Sequence, residues 1–154
     1  PEQIRRVLVA VNGIDDAAEI QRWLLANPFH DPVEMTVLHV APTLEAYRED
    51  SSLAQHDRFH EDLHEDSVSW GQKLVDNVAA KLSATPAHAP VGGCYRAHGQ
   101  VSSGDPPEVI VRESARQDLV IVGSHCFQSV ARFIYGSTAQ KVLHRVPVPV
   151  LVIG

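Results

Sequence analysis

Leu119 to Gly154 reads LVIVGSHCFQSVARFIYGSTAQKVLHRVPVPVLVIG, and its order of residue types decides the fold. A short apolar, β-branched run, Leu119–Val122, opens into Gly123-Ser124-His125. A glycine–serine pair follows at Gly136-Ser137, then a helical segment over Ser137–His144 and an apolar strand over Val148–Val152. Strand, glycine loop, helix and strand in that order make a parallel α/β unit. Glycines let the backbone approach a ligand, and amides at a helix opening near Gly136 would point at an anion. A plainer reading of the same residues is that Gly123 and Gly136 make tight turns between strand and helix.

The alternation continues upstream. Arg6–Val11 is an apolar run that stops at Asn12-Gly13, as a buried parallel strand would. Asp15 and Asp16 can cap a helix over Ala17–Ala26, with Ile20, Trp23 and Leu24 at helical spacing and Asn27-Pro28 as its stop. Met35–Val40 reads as the second strand, and Pro42–Ser52 as a long polar connection. Leu53–Ser83 reads as one long helix, in which Phe59, Leu63, Trp70, Leu74, Val78 and Leu82 form the apolar stripe. Thr85-Pro86 and Pro90 end it. Gly93–Val101 is a weaker strand, and Gly104-Asp105-Pro106 turns into a helix containing Val109, Ile110 and Ala115. Five strands separated by four helices imply a single domain over residues 1–154. Its expected form is a doubly wound parallel sheet with right-handed crossovers and helices on both faces.

Composition narrows the partners. A formal charge of −6 and a pI near 5.8 argue against nucleic acid or an anionic membrane surface as the main partner. No apolar run approaches the ~20 residues that span a bilayer. No basic, apolar leader precedes the first strand, so the expected location is the cytoplasm. Cys94 and Cys126 are too few for a disulfide framework, which agrees with a reducing compartment.

Enzymatic signatures are missing from the sequence. It has no Gly-x-x-x-x-Gly-Lys-Ser/Thr loop, no Gly-x-Gly-x-x-Gly and no Gly-x-Ser-x-Gly elbow. His125 beside Cys126 invites a thiol mechanism, yet catalytic cysteine–histidine pairs usually meet through the fold, so an incidental thiol is the preferred reading over a redox role. His56, His60 and His64 recur every fourth residue, the spacing of two-histidine zinc sites. Eight helical residues rise ~12 Å, so at most two of the three could share an ion. A polar flank beside Phe59 and Leu63 is the preferred reading there, and no metal ligand is assigned.

The glycine pattern resembles the nucleotide motif of the universal stress protein family: Gly, two residues, Gly, nine residues, Gly, then Ser or Thr. Gly123, Gly136 and Ser137 match it, and Cys126 stands where the second glycine belongs. The opening Val7–Gly13, the Leu38-His39-Val40 strand end, Gly104-Asp105-Pro106 and the closing Pro147–Ile153 are similar to the family as well. The resemblance implies strand order 3-2-1-4-5 and a ligand crevice at the carboxyl ends of strands one and four. It places Asn12 and Val40 at the adenine end of ATP. Gly123, Gly136, Ser137 and Thr138 would then hold ribose and phosphates, with Arg132 as counter-charge and Cys126 as an intrusion on the phosphate loop. Family binders usually carry Asp where this chain has Asn12, a charge that could help hold magnesium. The implied function is a cytoplasmic, non-catalytic stress-response protein that binds ATP or a related adenine nucleotide weakly and dimerises through its last strand. A degenerate member acting through protein partners is the alternative, and a slow ATP hydrolase the third reading.

Overall fold

The order of β-branched runs and amphipathic segments is realised as alternating strand and helix. The computed structural model describes residues 3–41, 43, 57–84, 95–123, 142 and 144–154, and for residues 57–64 the backbone alone. In chain order it shows β1 (Arg6–Ala10), α1 (Ile14–Ala26), β2 (Val33–Ala41), α2 (Asp57–Ser83), β3 (Tyr95–Ser103), α3 (Pro106–Ser114), β4 (Leu119–Gly123) and β5 (Val150–Ile153). The start expected for the long helix and most of the helix expected over Ser137–His144 lie outside the described residues. Val142, His144 and Arg145 are helical.

All strand pairs are parallel, and the sheet order is β3-β2-β1-β4-β5. Both the topology and the parallel register agree with the sequence reading. Strand side chains alternate between two cores. Val7, Val9, Met35, Val37, Leu119 and Ile121 pack with α1 and α2 residues such as Ile20, Leu24, Val75 and Leu82. Leu8, Ala10, Leu38, Val120 and Val122 pack on the other face with Val109 and Ile110 of α3 and with Val142 and Val146. Helices on both faces bury most of β1, β2 and β4, which is why these three are near-continuous apolar runs.

Several boundaries and faces differ from expectation. Helix α1 begins at Ile14, not Ala17, because Gly13 is extended and takes the N-cap place. Strand β3 occupies Tyr95–Ser103, since pairing with the whole of β2 from Val33 to Ala41 sets its length. Strand β5 begins at Val150, beyond Pro147 and Pro149, which have no amide to donate; the Val120 amide donates to Pro149 O at 3.0 Å. Ala115 is exposed at the C-cap of α3 and packs no core.

Trp70 is the largest correction: it is 43% exposed, while Val75, Val78, Ala79 and Leu82 carry the buried face of α2. At the amino end of the sheet, the Asp118 carboxylate accepts the Arg5 and Arg6 amides at 2.9 and 2.8 Å. Those two amides hold its pKa below the ordinary 3.8.

Candidate functional site

Register alone brings three of the expected site residues together. β1 pairs with β2 at a constant offset, Ala10 opposite Leu38, and the Val11 amide continues the ladder to Leu38 O at 2.8 Å. The same offset sets Asn12 level with Val40. On the other side, Ala10 lies opposite Val122, so Gly123 follows at the carboxyl end of β4, where it pairs with Ile153. The order in which strands are added reverses between β1 and β4: β2 and β3 build outward one way, β4 and β5 the other. Such a switch point leaves an open crevice beyond the carboxyl strand ends.

The floor of that crevice is built by Asp16. Its carboxylate is 1% exposed and accepts the amides of Asn12 and Gly13, each at 2.7 Å, and its own neighbour Ala17 at 2.9 Å. Asp16 is the third residue of α1, so the carboxylate reaches back over the helix opening and satisfies the Asn12 and Gly13 donors, while Ala17 also donates to Gly13 O at 3.2 Å. An anion is therefore already seated at the positive end of this helix. Gly123 makes room for it: a Cβ built at Gly123 would lie 2.7 Å from Asp16 Cβ. The glycine after β4 is thus required by close approach of α1 to the sheet.

On the α2 side, His39 closes the crevice wall. Its ring is 4% exposed, and Nδ1 donates to Val11 O at 3.0 Å, tying the ends of β1 and β2 together. Trp70 meets the same ring edge to face, with centroids 5.4 Å apart and planes at 77°. Gly71 permits this contact, since a Cβ there would fall 2.5 Å from His39 Cδ2.

Asn12, Val40 and Gly123 therefore converge, whereas Cys126, Arg132, Gly136, Ser137 and Thr138 lie outside the described residues. His56 also lies outside them, as do the side chains of His60 and His64. Among the described residues, no group of three His, Cys, Asp or Glu side chains could hold a metal ion. Reading the sequence missed the buried role of Asp16, although Gly13-x-x-Asp16 has the spacing of an N-cap with a back-reaching acid. It also left the His39–Trp70 pair unjoined, because no local signal links a strand end to a helix thirty residues on.

A family model for the universal stress protein family matches residues 3–154. The chain belongs to the universal stress protein family. Among solved structures of that family, the protein UspA from Lactobacillus plantarum is 17% identical, with both chains covered in full and a TM-score of 0.68. A universal stress protein from Arabidopsis thaliana with AMP bound is 22% identical, with 97% of this chain and 90% of that one covered and a TM-score of 0.58. One from Archaeoglobus fulgidus in complex with dAMP is 18% identical over 99% and 98% of the two chains, with a TM-score of 0.50. No curated protein sequence matches the chain. Among the described residues, no helix is long and apolar enough to cross a membrane.

Proposed function

We propose that this universal stress protein binds an adenine nucleotide, ATP or AMP, weakly and without turnover, in the crevice beyond β1 and β4. The observation that carries this reading is the convergence of Asn12, Val40 and Gly123 on the one switch point of the sheet. The AMP and dAMP named for its structural relatives support the choice of base. Asn12 and the strand end at Val40 would bound the adenine, whose edge reads amide and carbonyl groups. Asp16 fills the opening of α1 with a negative charge, so phosphates are excluded there. That directs them to Gly136, Ser137 and Thr138, with Arg132 as counter-charge.

Magnesium is given no ligand among the described crevice residues. Asn12 is uncharged, and both Asp16 oxygens already accept amides. We further assign the protein to the cytoplasm, as a stress-response homodimer paired through β5. A crevice that holds no nucleotide would leave action through protein partners as the reading, and phosphate release above a heat-killed control would instead indicate slow hydrolysis.

Equilibrium dialysis against AMP, ATP and GTP tests the proposal. Adenine nucleotides are expected to saturate one site per chain, with GTP far weaker. Lack of saturation by any of them up to about millimolar, where binding free energy falls to about 4 kcal/mol, would reject it.

A further inference from the structure

A groove of about 280 Å³ runs between α1 and α2, away from the crevice floor. Its existence follows from the sequence. Ala17 and Ala18 face it from α1, and their single methyl groups leave open the space that larger side chains would close. Leu74 and Val78 supply the opposite wall, so the interior is apolar. Ile14 and Trp70, at its crevice-side end, are 66% and 43% exposed, two of the five large apolar side chains that the described surface leaves most open. Trp70 is held in place by its edge-to-face contact with His39, so the aromatic wall is preformed.

Charge makes the groove specific. Lys73 and Lys81 line it and no acidic residue does, although the whole chain carries a net charge of −6. Among the described residues neither lysine has an ion-pair partner. The two lie eight residues apart on one helix, a rise of ~12 Å, with Asn77 between them. A single small anion cannot reach both charges, while a second helix can match them with carboxylates seven or eight residues apart. An apolar trough with cations along its rim is the arrangement that receives an amphipathic helix.

We propose that the α1–α2 groove docks an amphipathic helical segment of a partner protein, apolar on one face and acidic along its flank. Leucine-like side chains would seat on Trp70, Leu74 and the Ala17–Ala18 floor, and the acidic flank would pair with Lys73 and Lys81. Apolar burial supplies affinity here, and the lysines supply selection of the partner and its direction. This assignment is independent of the nucleotide crevice.

The probe is a synthetic helical peptide of about 16 residues, with leucines at i, i+3, i+4 and i+7 and glutamates along one flank, compared with versions carrying Gln or Lys in their place. The Glu peptide is expected to bind saturably, change the tryptophan emission and lose affinity as salt rises. The Gln form should bind at least about tenfold more weakly, and the Lys form more weakly still. Lys73→Glu with Lys81→Glu should cost the Glu peptide the same factor or more and restore binding of the Lys peptide. Both lysines are exposed, so melting temperature and nucleotide affinity should stay as in the unmodified chain. Equal binding of the three peptides, or no saturation by the Glu form at about millimolar, would overturn the proposal. So would a change in the protein's own association state on reversing the lysines, which would make a second copy the occupant.

Discussion

The Asp16 carboxylate organises the backbone where β1 turns into α1, accepting the amides of Asn12, Gly13 and Ala17. Ala17 also donates to Gly13 O, so Asn12 and Gly13 are the donors left orphaned by loss of the carboxylate, each bond worth about 1.5–3 kcal/mol. Some of that loss is recovered when water reaches the opened helix end. Asp16→Ala is therefore expected to lower unfolding free energy by about 2–4 kcal/mol in urea titrations. A change under about 0.5 kcal/mol, the size of an ordinary surface substitution, would mean that the carboxylate does not organise the loop.

The sequence carries part of this. An acid near a strand-to-helix turn reads as a cap, and Asp15 and Asp16 both fit that place. What it does not carry is the position of the helix start. Aspartate is favoured at the N-cap itself, and only the extended backbone of Gly13 moves Asp16 into the first turn and under Gly123. The dependence of Gly123 on Asp16 arises from close packing between β4 and α1, and no local pattern encodes it.

Among the elements, strands were the more legible and α2 the less. Buried parallel strands are continuous apolar runs, so β1, β2 and β4 stand out wherever they lie in the chain. A long helix offers several apolar stripes, and tertiary packing chooses one. Periodicity alone admits Trp70 to the core stripe. Gly71 instead brings the helix backbone against His39 and rotates the indole to the rim.

β5 raises a similar question of facing. It is an edge strand with β4 as its one neighbour; Leu151 packs on the α1–α2 core, whereas Val152 is 46% exposed. An uncharged apolar edge invites pairing, and a lysine there is a common guard against it. If β5 pairs two chains as proposed, Val152→Lys is expected to shift the protein to monomer, read by light scattering. Leu151→Lys would damage the core as well and so would not isolate the effect. An unmodified chain that is already monomeric at about tens of micromolar, where weak dimers dissociate, would contradict pairing through β5.

At the scale of the molecule, alternating strands and helices dictate a doubly wound sheet, and the observed order 3-2-1-4-5 puts one switch point beside Asn12, Val40 and Gly123. The sheet positions these residues through register, which is why their meeting at one switch point follows from the strand order. In the proposed reading the phosphates meet Gly136, Ser137 and Thr138, and Cys126, where the family motif has a glycine, sets the energetics. A glycine replaced at a positive-φ position costs ~1–2 kcal/mol, and a blocked amide–phosphate bond ~1.5–3 kcal/mol. Either weakens binding roughly tenfold to a hundredfold, at 1.4 kcal/mol per decade. Calorimetric titration of ATP into the unmodified chain, Cys126→Gly and Gly136→Val tests this most directly. We predict weak binding at one site per chain, tightened at least about tenfold by Cys126→Gly and lost in Gly136→Val. Absence of binding in Cys126→Gly as well, or unmodified protein that purifies with stoichiometric nucleotide, would contradict the account.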